Sequence, residues 1–192
     1  MTTMRATAPA TAPISLSEAK LHLRVDGSHE DSLITGLIEA ATAHFDGQGV
    51  LGRAMVTQSW VQWVDQNPGW VRLTVGPFQS LTSVEYYDAD NALQTATLTD
   101  FEVRLDGDFV IVKPKKDHVW PPAYIRQDAI KITYVAGFGD AATDVPQSIR
   151  QAILLTVGHW YEHRIAVDKG AYKELPLAVD ALIGAERVGW YG

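Results

Sequence analysis

The run Thr133-Tyr134-Val135-Ala136-Gly137-Phe138-Gly139-Asp140 leads into Val145-Pro146-Gln147-Ser148-Ile149-Arg150 and on to His159-Trp160-Tyr161-Glu162-His163-Arg164. It reads as a strand, a turn and a helix. Thr133, Val135 and Phe138 supply β-branched and aromatic bulk, and Gly137 and Gly139 free the backbone to turn. Asp144 stands where it can cap the next helix, and Pro146 falls in the first turn, where a missing N–H leaves no bond unmade. Ile149, Ile153, Val157 and Trp160 then recur at helical spacing, with Leu154 and Tyr161 alongside, which predicts a core helix over residues 146–164.

Upstream of that run the periodicity is two. Val56, Gln58, Trp60, Gln62 and Val64 share one face of a strand, and Thr57, Ser59, Val61 and Trp63 the other. Turn residues Gln66-Asn67-Pro68-Gly69 precede a strand over 71–75, and further strands are expected at 83–87, 101–105, 109–112 and 130–135. Asp106-Gly107-Asp108 is a hairpin signal between two of these. Before the β block, Ser15-x-x-Glu18 forms a capping box that predicts a helix over 16–24. A second helix is expected from Glu30 or Asp31 to Asp46-Gly47, with Leu33, Ile34, Leu37, Ile38, Ala41 and Phe45 as its buried stripe. Residues 165–175 read as a loop. Pro176 opens a last helix over 177–187, with Val179, Leu182 and Ile183 on one side, followed by Val188-Gly189-Trp190-Tyr191-Gly192.

Helices on both sides of a strand-rich segment imply an α+β domain with an antiparallel sheet. Its divisions are a flexible Ala/Thr/Pro-rich arm at 1–14, a helix pair at 15–54, a β-rich insertion at 55–136, and a long helix plus C-terminal helix with an aromatic tail at 144–192.

The composition is that of a folded chain: 192 residues, 46% hydrophobic and 20% charged. Its net charge is −7, and acidic groups outnumber basic ones at 1–55 (6 against 4), 56–140 (11 against 7) and 141–192 (6 against 5). No segment carries the basic footprint that sustained DNA binding needs. An acidic surface suits a passage through which DNA slides without sticking. The absence of cysteine removes disulfides and thiolate chemistry and fits folding in a cytoplasm. No apolar run is long enough to cross a bilayer, and the first residues lack the apolar core of a signal peptide.

The opening run, together with Leu16-Ser17-Glu18-Ala19-Lys20-Leu21-His22-Leu23-Arg24-Val25-Asp26 and Glu30-Asp31-Ser32-Leu33-Ile34, resembles the head-tail connector (adaptor) proteins of tailed bacteriophages and phage-derived gene transfer agents. The resemblance rests on Ala136 to Asp140, Val145-Pro146, Ile149 to Leu154 and His159 to Arg164. It implies a small α-helical bundle carrying an inserted antiparallel β block. Copies would assemble into a ring, a dodecamer in the relatives, beneath the portal protein. The ring would extend the DNA conduit in the neck of the particle and offer a platform to a stopper or tail-completion protein. DNA would pass without sequence-specific contacts, and no membrane, metal or cofactor would take part. Another head-tail joining or tail-completion protein is the alternative within the same class.

Few residues offer themselves as a chemical site. His159-x-x-Glu162-His163 matches the spacing of an inverted zinc protease motif, and a zinc-dependent hydrolase is the remote rival it supports. Trp160 and Tyr161 crowd it, and the candidate third ligands downstream, Glu174 and Glu186, lie in no second helical motif, so a packed helix end is favoured. Gly137-x-Gly139 is too short for a phosphate loop, and Lys113-Pro114-Lys115-Lys116 reads as a solvated basic loop. The partner surface is expected at the C-terminus, where Leu182 and Arg187 of the last helix lead into Val188, Trp190 and Tyr191. Trp and Tyr are the residue types that most often anchor interfaces.

Overall fold

Ser15 starts the first helix as its spacing predicts. Its Oγ accepts the Glu18 N–H at 3.2 Å, and α1 runs Leu16–Leu23. Arg24 ends the helix with a left-handed φ of 57°, returning its N–H to Leu21. A computed structural model describes residues 1–65, 68–106, 109–163, 177–184 and 186–187. In it α2 spans Asp31–Phe45 and buries Ile34, Ile38, Ala41 and Phe45. Leu33, expected on that stripe, is 40% exposed. It sits about 100° around the helix from Ile34 and so at the margin of the buried arc.

The β region holds more than one sheet. Strands β1 (Thr2–Thr7), β2 (Gln58–Val64), β4 (Phe78–Tyr87), β5 (Leu93–Thr95) and β8 (Ile130–Ala136) form a five-stranded sheet in the order β1-β2-β8-β4-β5. β3 (Val71–Leu73), β6 (Phe101–Asp106) and β7 (Phe109–Pro114) form a second, ordered β3-β7-β6. All the pairings are antiparallel. The hairpin signal at Asp106-Gly107-Asp108 does join β6 to β7, with Asp106 opposite Phe109, although Gly107 and Asp108 themselves lie outside the described residues.

One finding corrects the reading from sequence. The first residues are not a free arm: Thr2–Thr7 pairs with β2 from Thr2↔Trp63 to Thr7↔Ser59. Thr-Thr-Met-Arg-Ala-Thr has no apolar alternation to announce a strand. The strand forms because β2 offers an unpaired edge, and edges template further strands. Gln62 sits wholly buried on the face it was expected to share with Trp60 and Val64. Its Nε2 donates to Arg72 O at 2.7 Å and its Oε1 accepts from Thr74 N at 3.1 Å, so one side chain stitches the β3 backbone to the larger sheet. Tyr134 does the same nearby, its hydroxyl accepting Val75 N–H at 3.3 Å. Burial pushes that phenol up to about 12.

The strand-to-helix turn also differs in detail. Asp144 does not cap the long helix. Its Oδ2 accepts the Ala141 N–H at 2.9 Å and closes the short 3-10 turn Ala142–Asp144. A Cβ on Gly139 would overlap that carboxylate, which is why glycine stands there. The long helix α3 then spans Gln147–Glu162 behind Pro146, and Arg164, the expected end, is outside the described residues.

The helices pack on one another, with α3 against α1, α2 and α4 (Leu177–Gly184). Ile14, Ala19, Ile34, Ile38, Phe45, Ile149, Ile153, Val157, Val179 and Ile183 belong to their common core. By contacts the chain divides into two units, Met1–Pro9 with Thr57–Gly137, and Ala10–Val56 with Phe138–Gly192. The first holds the two sheets and the second the helices.

Candidate partner interface

The expected core helix is where the packing is tightest. Ile149, Ile153 and Val157 have no exposure, and Trp160 is half-buried against the same core. Thr156, equally buried, satisfies its hydroxyl by donating to Ala152 O at 2.9 Å. α3 is tied to α1 by Arg150, whose Nη2 reaches both carboxylate oxygens of Glu18 at 2.7 and 2.9 Å. The other guanidinium nitrogens reach Pro13 O and Gln147, so the whole head group is held in place by charge-assisted and neutral bonds together. At the far end of α3, Tyr161 donates its hydroxyl to Glu30 beside the start of α2. Neither cross-link has a signature in the sequence, because partners 131 and 132 residues apart reveal nothing by spacing.

The root of the C-terminal tail is built by three contacts. Arg53 Nε donates to Glu186 O at 2.6 Å, Ser148 Oγ to Glu186 Oε1 at 3.0 Å, and Arg187 Nε to Val50 O at 3.3 Å. Leu182 is half-buried and packs against the helical core. Arg187 stays exposed. Val188, Trp190 and Tyr191 lie outside the described residues, as does the loop expected at 165–175.

The histidine motif brings its two rings together. His159 and His163 meet edge to face with ring centroids 4.8 Å apart, while Glu162 is exposed. Glu186 is engaged with Ser148, and Glu174 is outside the described residues. Among the described residues no group of three His, Asp or Glu is placed to hold a metal ion. Lys113 and Pro114, expected in a basic loop, instead end strand β7, where Lys113 pairs with Glu102 at 2.9 Å across the β6–β7 ladder. No helix among the described residues is long and apolar enough to cross a membrane.

The surface carries large exposed apolar side chains that no periodicity flagged. Leu21 on α1 is 81% exposed beside a groove of about 590 Å³ lined by Leu16, Lys20, Arg24 and Val25. Trp70 is half-exposed between two further grooves at the β3 and β6 strands.

Three solved structures share the fold along almost its whole length. A chain from the neck of an empty gene transfer agent particle computed with C6 symmetry superposes with a TM-score of 0.81 at 20% identity, over 98% of this chain and 96% of that one. A chain from the virion of a native gene transfer agent particle gives 0.77 at 21% identity, and one from the neck of a native particle computed with C12 symmetry gives 0.76 at 20%, each with the same coverage. No curated protein sequence matches significantly. The family model described as head completion protein matches residues 13–172, from the buried Pro13 through both helices, all the later strands and α3. A structural virion component with no catalytic role is what such a match describes, and the chain belongs to the head completion protein family.

Proposed function

We propose that the chain forms a ring, a dodecamer, beneath the portal in the neck of a tailed phage or gene transfer agent particle. There it extends the DNA conduit and offers a platform to the stopper or tail-completion protein. The observation that carries this reading is the fold shared over 98% of the chain with proteins of particle necks, two of them from structures computed with sixfold and twelvefold symmetry. Cyclic symmetry needs two different patches per subunit that meet head to tail until the rotation closes. The net charge of −7 favours DNA passing without being held. No bond is made or broken, so no cofactor is required. The chain folds in the host cytoplasm and works in the particle.

The portal contact is assigned to the C-terminal segment Val188-Gly189-Trp190-Tyr191-Gly192 together with Arg187. The support is the residue type, two aromatics flanked by glycines, and the three contacts that hold the root of the segment in a fixed place. The free chain is monomeric, and the portal stabilises the ring. Deleting residues 188–192 is therefore expected to leave the melting temperature unchanged and to abolish co-sedimentation with portal. A truncated chain that melts much lower, or that still binds portal as the full chain does, would overturn this assignment.

A further inference from the structure

Strand β1 is attached to the molecule in an unusual way. Of its six residues only Thr3 is even half-buried, and Met4 is 51% exposed, so β1 contributes nothing to a core. What it supplies is a backbone ladder along β2 and side-chain contacts at its margin, among them Thr74 Oγ1 to Thr3 Oγ1 at 2.9 Å, Gln62 Nε2 to Met1 Sδ at 3.2 Å, and Arg5 over the Trp60 ring at 5.4 Å. β2 is the opposite case. It is among the most buried strands, with Trp60, Val61 and Val64 in the core, and its outer edge needs a cover.

The segment that follows β1 leaves the sheet unit altogether. Residues up to Pro9 belong with the sheets and those from Ala10 with the helices. Ala8, Ala10, Thr11 and Ala12 are exposed. The chain is next held by Thr11 Oγ1 donating to Asp140 O, then by Arg150 Nε donating to Pro13 O, both at 3.2 Å, and by the buried Ile14. Pro9 and Pro13 favour an extended path over a tight return. Six peptide steps between Thr7 and Pro13 span up to about 20 Å, which is several strand spacings.

We propose that β1 is exchanged in the assembled ring: each copy lays its Thr2–Thr7 strand on β2 of the next copy and receives the strand of the copy before it. The inference rests on the ring reading above. Exchange keeps every ladder bond and changes only the path of residues 8–10, ahead of the Thr11 anchor, so it costs little once a second copy is adjacent. It also supplies what a cyclic assembly needs. The donated arm and the receiving β2 edge are different surfaces, and head-to-tail donation closes only when the ring does.

The chain has no cysteine, so an introduced pair is its only possible disulfide. Thr7 faces Ser59 and Met4 faces Val61 across the β1–β2 ladder. Paired residues on neighbouring strands are within disulfide range. The full-length double variants Thr7→Cys with Ser59→Cys, and Met4→Cys with Val61→Cys, are assembled reduced on portal and then oxidised, with bond formation verified by mass. The expected result on a non-reducing gel is a ladder of covalent multimers that collapses to monomer on reduction. Variants oxidised first as free monomers, with β1 locked at home, are expected to enter rings at least tenfold less than the same protein reduced. Rings that run as monomers after oxidation in both variants, or locked monomers that enter rings as readily as reduced ones, would overturn the exchange while leaving the ring reading intact. Failure of the unmodified chain to form a ring on portal would overturn both.

Discussion

Replacing Ile153 by alanine tests the packing on which the helical unit depends. Ile153 has no exposure and lies in a core bounded by α1, α2 and α4 around α3. The change removes three carbons, a transfer loss of about 2.5 kcal/mol at ~0.8 kcal/mol per buried methylene. Helices on three sides limit how far the site can collapse, so the cavity adds about 1–2 kcal/mol. The expected loss is about 3.5–4.5 kcal/mol, or a fall in melting temperature of roughly 7–18 °C for a chain of this size. Ile153→Val should cost only about 1 kcal/mol. Leu33→Ala, at a position 40% exposed although its spacing suggests burial, should cost less than about 0.5 kcal/mol. Urea denaturation followed by tryptophan fluorescence and circular dichroism measures all three. A loss below about 0.5 kcal/mol for Ile153→Ala, or equal losses at 153 and 33, would refute the assignment of the buried face.

Two further outcomes follow from local geometry. Gly139→Ala forces the Asp144 carboxylate from its bond to Ala141, and a loss of roughly 1–3 kcal/mol is expected; a variant as stable as the parent in the same titration would show that the turn tolerates a side chain. Tyr134, with its pKa raised to about 12 from an ordinary 10.0, favours the folded state fully below pH 10 and progressively less as pH rises toward 12. Phenolate absorbance should therefore show one tyrosine that ionises only with alkaline unfolding. If all seven titrate together near pH 10 in the folded protein, the phenol is not buried as described.

Much of this protein is legible in the order of its residues. The cap at Ser15, the stripe Ile149-Ile153-Val157, the alternation through Trp60 and Val64, and the glycine turn at 137–139 are each decided by interactions within a few residues of chain. Local sterics and a local apolar period suffice to specify such elements. The family resemblance rests on the same stretches. The candidate interface is less legible. Leu182 packs partly on the core, and one face of a short helix reads the same in sequence whether it meets its own protein or another.

The rest is decided by the tertiary structure. Strand β1 has no pattern of its own and exists only because the edge of β2 is open to it. Gln62 looks like a surface residue by type, and only the arrival of the β3 backbone at its amide makes its burial affordable. Splitting the strands into two sheets, and the Glu18–Arg150 clamp, likewise join residues far apart in the chain. Spacing along the sequence carries the periodicity of one element but not the identity of the surface it meets, since that surface is created by folding itself.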